Sequence, residues 1–439
     1  MTFEETVQYL YDLQKFGTKL GLDNTRLLCG LLGNPEKGPS FLHVTGTNGK
    51  GSVSVLSASA IRAAGYRTGL YTSPHLVSFT ERIRLDGVDS TEGEIVALAR
   101  RLNALLAERM PELKPTFFEF TTAMAFDYFA SKGAEAVALE VGMGGRLDST
   151  NVVEPLCTVI TNVEMEHAEY LGDTIMAVAN EKAGIVKPGV PLVTSETKPD
   201  VVDYLQSVCR ERGSVMYLMG RDFGYGSAGS SWEDGRYVQR FDYKGPGGDI
   251  AGIQIPLAGE HQLSNASVAA CALGVMSGRG MRIGPDAIRA GFRDVRWEGR
   301  LEAVSERPLV VLDGAHNPAS VRKLADSIGP VFSGRYERLI LVLGVLADKD
   351  FRSMYDMLSP FADEVIFTKA AYERALPPSE LMKVAGAGCE PKVTGTVADA
   401  LELAMGVATP ADMVLVTGSL YVIGEAKAHI GDKKLFLRA

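Results

Sequence analysis

Short apolar runs recur along the chain, with stretches of helical periodicity between them. Residues 41–45, 136–141, 158–163 and 190–194 form one series. Residues 309–312, 339–343, 364–368 and 413–417 form a second. Such runs suit strands buried on both faces, and each is followed by a turn and a helix-like stretch. Alternation of this kind predicts an α/β fold, with mostly parallel sheets carrying helices on both faces. Residues 220–256 break the rhythm. They are rich in glycine, residues 236–243 alternate, and residues 244–249 carry the composition of a hairpin connection, which predicts a small antiparallel β insert attached to the first domain. A helix is expected to begin near His261, and the first seventeen residues read as an amphipathic helix. The second strand-helix series starts beyond residues 294–299, giving expected domains at 1–296 and 297–439.

A chain of 439 residues is long for one core, which agrees with two or more domains. The net charge of -9 argues against general nucleic-acid binding, so an anionic substrate must be met by local basic groups. Cys29, Cys157, Cys209, Cys271 and Cys389 are scattered, with no C-x-x-C spacing, as suits free thiols in a reducing cytoplasm. The N-terminus lacks the basic and apolar regions of a signal peptide. No uninterrupted apolar run reaches the roughly 18 residues of a membrane span.

The chemistry is concentrated where strands end. After the first strand comes Gly46-Thr47-Asn48-Gly49-Lys50-Gly51-Ser52, then a helical segment. Strand, glycine turn and helix make the setting of a phosphate-binding loop. Backbone N–H groups and the helix N-terminus face phosphate, Lys50 reaches the outer phosphates, and Ser52 can face magnesium. The loop departs from the common G-x-x-x-x-G-K-[ST] form, because Val44 stands at the first glycine and Gly51 separates Lys50 from Ser52. The bland alternative is a tight turn with a surface lysine. Glu140 lies inside an apolar strand, where an ionised group is costly unless paired or metal-bound; a salt bridge to Arg146 is the other explanation. In Tyr71-Thr72-Ser73-Pro74, the proline would aim the Ser73 hydroxyl. His167 suits either a metal or a satisfied core position. Lys182 and Lys187 near a helix C-terminus could simply complement its dipole, although a buried lysine there would be unusually reactive. In the second domain Asp313 and His316 follow a strand, as a cleft site or as an Asx-turn. Arg300, at the domain junction, could reach phosphates.

Taken in order, GTNGKGS, YTSPHL, ERIR, FFEFTTAMAF, EVGMGGRLDSTN, EHAEYLG, EKAGIVKPG, GEHQLSNA, WEGRLE, LDGAHNP, LGVLADKD and TGSLY resemble the folylpolyglutamate synthase/dihydrofolate synthase family of the Mur ligase superfamily, along nearly the whole chain. The resemblance implies a P-loop ATPase-like N-terminal domain and a Rossmann-like C-terminal ligase domain. It implies that Gly49, Lys50, Gly51 and Ser52 hold the ATP phosphates. Ser73 and Glu140 would bind one Mg2+ and His167 a second, with Lys182 carbamylated by carbon dioxide. Asn265, Arg300 and Asp313 would contact ATP from the far side of a cleft, while His316 and Ser419 fall where incoming L-glutamate is expected. Thr116, Phe117, Phe118 and Glu119, with Leu147, Asp148 and Ser149, resemble the pterin-binding segments of the bifunctional enzymes. By this reading Phe118 stacks on the pterin, unless it is core, and Asp148 pairs with the pterin N–H groups. One departure is Glu166, where the family has aspartate before the histidine.

The implied reaction activates a carboxylate with ATP as an acyl phosphate, which the glutamate amine then attacks. His316 is the candidate base. Acceptors would be tetrahydrofolate and its polyglutamates, dihydropteroate, or both. The nearest rival, a Mur-type cell-wall ligase, requires a nucleotide-sugar domain before the loop, and some 40 residues are too few for one. A P-loop kinase would leave the second α/β domain unexplained. A monomer is expected, without nucleic-acid or membrane partners.

Overall fold

A computed structural model describes residues 1–17, 21–383 and 390–433, with the side chains of residues 15, 16, 432 and 433 left out. Cys389 lies outside the described residues. The chain divides into two compact units: residues 1–229, 240–255 and 263–295 form one, and residues 230–239, 256–262 and 296–439 the other.

The first unit is built on an eight-stranded sheet. Its strands are β1 (Ser40–Thr45), β2 (Thr68–Tyr71), β3 (Ile83–Leu85), β4 (Val88–Asp89), β5 (Ala136–Glu140), β6 (Pro155–Ile160), β7 (Leu192–Thr194) and β8 (Met216–Leu218), in the order β4-β3-β2-β5-β1-β6-β7-β8. From β2 to β8 every neighbour is parallel, and only β3 and β4 run antiparallel at one edge. The apolar runs expected at 136–141 and 158–163 end earlier, at Glu140 and Ile160, because the following residues turn toward the strand ends. Strand β2 lies outside the expected series: its four residues are buried, but Thr68-Gly69 carries no apolar signal. One apolar core joins Phe41, Val137 and Leu139 to the helices Phe3–Asp12, Asp23–Leu31, Glu92–Arg109 and Phe117–Ser131. Another joins Ile160 and Leu192 to Ile175–Ala183 and Pro199–Glu211.

The insert forms a three-stranded sheet, β11-β10-β9, from β9 (Gly224–Glu233), β10 (Arg236–Lys244) and β11 (Ile250–Ile255). It is not wholly part of the first unit, since the β9–β10 tip, residues 230–239, belongs to the second. There Trp232 packs on Phe332 and donates its indole N–H to the Val331 carbonyl at 2.8 Å.

The second unit carries β12 (Glu302–Glu306), β13 (Leu309–Leu312), β14 (Leu339–Leu343), β15 (Glu364–Phe367), β16 (Lys392–Val393) and β17 (Met413–Thr417), ordered β12-β13-β17-β14-β15-β16. All pairs are parallel except β12 with β13. The buried faces of β13, β14 and β17 explain why these strands read as unbroken apolar runs. Among the described residues no helix is long and apolar enough to cross a membrane.

A polar residue sits inside this first core. His43 on β1 is fully buried, and its Nε2 lies 2.9 Å from Thr150 Oγ1. The Thr150 hydroxyl donates to Asp148 Oδ1 at 2.5 Å, so it can only accept from His43, which fixes the neutral Nε2–H tautomer. Burial, with Lys187 adding to it, pushes His43 down to about 3. The unfolded chain therefore takes up this proton near pH 6.5 and the folded chain does not. The stability it contributes is complete above pH 6.5 and is lost as pH falls toward 3. H43Q is expected to be less stable at pH 7.5 yet to lose less per unit of acidification, by up to about 1.4 kcal/mol per pH unit. Urea unfolding of both proteins between pH 7.5 and 4.5 checks this; parallel pH slopes would remove His43 as the cause.

Candidate functional site

Strand β1 occupies the point where the strand order reverses, with β5 on one side and β6 on the other. The crevice at its C-terminal end is where open α/β sheets bind ligands. Residues 46–49 turn there into the helix Lys50–Ala63. Gly49 has φ +87°, and a Cβ on it would meet Asn265 Oδ1 at 2.5 Å, so the turn requires glycine and brings Asn265 to the loop. The helix has no side-chain cap, and uncapped helix N-termini are where backbone N–H groups can meet an anion. Lys50 Nζ folds back on the Gly46 and Thr47 carbonyls at 2.7 and 3.2 Å, and Ser52 is buried in the first turn. Val44, at the position of the missing glycine, is still a buried strand residue paired in register with Glu140, so no turn is needed there.

Glu140 ends β5, buried, and accepts the Ser73 backbone N–H at 3.0 Å. Arg146 instead bonds Glu181 at 2.8 Å, so the Arg146 salt bridge is not what holds Glu140. Ser73 and Glu140 together offer hydroxyl and carboxylate oxygens, the donor set of a hard cation. No group of three or more His, Cys, Asp or Glu is arranged for a metal among the described residues. That sparse set fits magnesium, which keeps water and phosphate oxygens in its shell, better than zinc.

Lys182 is completely buried and ion-paired with Glu166. A solvated lysine complementing a helix dipole is therefore excluded. Burial outweighs the attraction of Glu166 and lowers Lys182 to about 8. Glu166, despite its own burial, is held at about 2 by Lys50 and Lys182. His167 is exposed, in the left-handed region at φ 46°, heading the short helix Ala168–Leu171. It is not a core histidine.

The segments expected to hold a pterin have local roles as well. Thr116 and Glu119 form a capping box on the helix Phe117–Ser131, and Asn24 adds a bond to Glu119 at 3.2 Å. Phe117 stacks on Tyr11 with ring centroids 5.7 Å apart, and the Arg82 guanidinium lies 5.2 Å from its ring. Phe118 is only half-buried, and a Cβ at Gly142 would meet its ring at 2.4 Å. It thus covers the start of the loop after Glu140. Asp148 caps the turn Ser149–Val152, accepting Thr150 N at 3.0 Å and Met143 N at 2.9 Å, and burial raises its pKa. Leu147 is half-buried and Ser149 buried.

In the second unit Asp313 follows β13 and accepts the Leu301 and Ala315 N–H groups, each at 2.9 Å. Burial raises it and Arg300 opposes that shift. Arg300 bonds the Gly299 carbonyl at 2.9 Å, with its guanidinium 5.8 Å from the Trp297 ring. His316 Nδ1 lies 2.8 Å from the Gly314 carbonyl, which can only accept, so Nε2 keeps the basic lone pair. Ser419 is buried and accepts Tyr421 N at 3.1 Å.

The Mur ligase middle domain matches residues 44–273, and the Mur ligase, glutamate ligase domain matches residues 299–420. The chain belongs to the Mur ligase family. It is 33% identical to the dihydrofolate synthase/folylpolyglutamate synthase of Bacillus subtilis, over 98% of this chain and 99% of that one. It is 37% identical to a probable bifunctional folylpolyglutamate synthase/dihydropteroate synthase of Haloferax volcanii, over 97% of its own length but only about half of that relative's. The solved Mycobacterium tuberculosis folylpolyglutamate synthase complexed with ADP superposes with a TM-score of 0.88 at 32% identity, covering 98% of this chain and 99% of that one.

Part of this Mur ligase site was invisible in the sequence. The strip 161–164 backs the loop 46–49: Thr161 Oγ1 donates to the Asn48 carbonyl at 2.6 Å, and Asn162 Oδ1 accepts Asn48 N at 2.9 Å. Thr47 Oγ1 accepts Glu164 N at 2.9 Å. The partners lie more than a hundred positions apart, with no local pattern to link them.

Proposed function

We propose that this Mur ligase is an ATP-dependent amide-forming enzyme that joins L-glutamate to tetrahydrofolate and its polyglutamates, and also to dihydropteroate. One observation carries the reading: a phosphate loop at the sheet's switch point stands with the Ser73–Glu140 pair and a buried lysine, in a chain matched end to end by a dihydrofolate synthase/folylpolyglutamate synthase.

The loop N–H groups and Lys50 hold the phosphates of ATP, with Asn265, Arg300 and Asp313 as further nucleotide contacts. An oxygen of the acceptor carboxylate attacks the γ-phosphorus in line and ADP leaves, giving an acyl phosphate. The glutamate nitrogen, relieved of a proton by His316 Nε2, attacks the acyl carbon, and inorganic phosphate departs. Ser73 and Glu140, with His167 and a carbamate on Lys182, would hold magnesium, which offsets charge on the phosphoryl oxygens. The carbamate forms when neutral Lys182 Nζ attacks the carbon of CO2 and sheds a proton; a lysine near 8 is far more often neutral at physiological pH than an ordinary one. Phe118 and Asp148, with Thr116, Phe117, Glu119, Leu147 and Ser149, form the pterin contacts, and Ser419 contacts glutamate. The reading includes a monomer acting in the cytoplasm without nucleic-acid or membrane partners. Buried free thiols at Cys29, Cys157, Cys209 and Cys271, all raised by burial, are in keeping with that compartment.

Phosphate release from ATP, with dihydropteroate or tetrahydrofolate and with or without L-glutamate, tests it. Glutamate-dependent release with both acceptors is expected. Release with tetrahydrofolate alone would leave a monofunctional synthase and remove the pterin roles of Phe118 and Asp148. No glutamate dependence in folded, ATP-binding protein would sink the assignment.

A further inference from the structure

One buried carboxylate near this site has no role in the chemistry above. Glu196 lies just past β7, with only 1% of its side chain exposed. Its Oε1 accepts the N–H groups of Thr197 and Lys198, each at 2.8 Å, which shapes the local turn. Its Oε2 reaches 33 residues back and accepts Val163 N at 2.6 Å. Lys198 completes the grip, since its Nζ donates to the Val163 carbonyl at 2.8 Å and to Glu164 Oε1 at 2.6 Å. Ser195 Oγ donates to the Thr161 carbonyl at 2.8 Å. The turn 195–198 therefore holds one edge of the strip 161–164 through both backbone groups of Val163.

The other edge of that strip is the back of the phosphate loop. Thr47 N donates to the Asn162 carbonyl at 2.9 Å, Asn48 N to Asn162 Oδ1 at 2.9 Å, and Glu164 N to Thr47 Oγ1 at 2.9 Å. Two residues beyond Glu164 the same strip carries Glu166, the partner of Lys182. A turn cap would need only the bonds to Thr197 and Lys198. The long-range bond to Val163 and the lysine's bonds to the same peptide are what a cap leaves unexplained.

We propose that Glu196, with Lys198, is a positioning residue for the nucleotide: it fixes the strip 161–166, and through it both the phosphate loop and Glu166 opposite Lys182. This rests on the reading of residues 46–52 as the ATP site. Glu196 touches neither nucleotide nor acceptor. Its effect is carried by backbone placement, where errors of about 1 Å cost on the order of a hundredfold in rate.

The test uses E196Q in the full chain. Glutamine keeps the shape and one acceptor oxygen, but it must set an N–H2 against either Val163 N or the turn. The probe is magnesium with AMPPCP, measured by calorimetry, beside steady-state kinetics and thermal unfolding. AMPPCP affinity is expected to weaken about tenfold, KM for ATP to rise in step and kcat to fall, while KM for tetrahydrofolate stays within about twofold. K198M, at a half-exposed position, should give the same split more weakly, and it carries the test if E196Q does not fold. Affinity within about twofold of wild type in a folded variant, even one with a lowered melting temperature, overturns the proposal. An equal rise in both KM values also overturns it, because that marks general loosening. Failure of the wild-type protein itself to bind AMPPCP sinks the nucleotide reading and this inference with it.

Discussion

K182M is expected to lose about a hundredfold to a thousandfold in glutamate-dependent phosphate release, because the carbamate proposed to help hold the charge-stabilising magnesium can no longer form. Lys182 is wholly buried, and its ammonium is paired with Glu166. Methionine fills the same volume, so packing is largely kept. Glu166 loses its ion-pair partner and keeps Lys50 as the cation still opposing its burial, so its pKa, now held at about 2, must rise. Removing one partner of a buried pair costs about 3–5 kcal/mol, so K182M should also melt at a lower temperature. The double variant K182M/E166L separates the two effects. It takes away the stranded charge and should recover most of the stability, because replacing a whole buried pair by apolar groups is often neutral. It should recover none of the activity, because no amine remains to take up CO2. Kinetics and calorimetric melting of the three proteins decide the matter: a K182M enzyme within tenfold of wild type, or a double variant that regains turnover, would leave Lys182 as a structural ion pair.

The second large effect is at Lys50. In this structure its ammonium bonds carbonyls of its own loop, Gly46 and Thr47. Those contacts are local and part-buried, so K50A should lower the melting temperature only modestly, chiefly by taking one of two cations from Glu166. A phosphate is a far better partner for the ammonium than two neutral carbonyls. K50A is therefore expected to lower kcat by about 10²–10³, and to weaken AMPPCP binding measurably. The outcome that would count against the phosphate loop is a stable K50A protein with normal nucleotide affinity. A large fall in melting temperature would instead mean that the lysine serves mainly to close the turn.

The two variants report on different kinds of information in the chain. Lys50 was legible at once, since strand, glycine turn, lysine and helix are contiguous and each step has a local cause. The same holds for Glu140, a carboxylate ending an apolar run. It holds also for the second series of strands, β13, β14 and β17, whose limits coincide with their apolar runs because both faces are covered. Lys182 was legible only as a lysine near a helix end. Its burial and its pairing with Glu166 depend on a loop sixteen residues away folding back over it. Thr116 and Glu119 show the opposite case. Both match a substrate-binding segment, yet their spacing also spells the capping box that the helix uses.

The sequence by itself thus determined the α/β class, the glycine turn from strand to helix at 46–52, the acidic strand end and the polar turn at Asp313, because periodicity and turn chemistry act over a few residues. Only the tertiary structure decided what stands beside them. It paired Lys182 with Glu166, released Glu140 from Arg146, exposed His167, divided the hairpin tip from the rest of the insert, and set Glu196 against Val163. Each of those outcomes joins residues far apart in the chain, through burial and hydrogen bonds that exist only once the sheet has assembled.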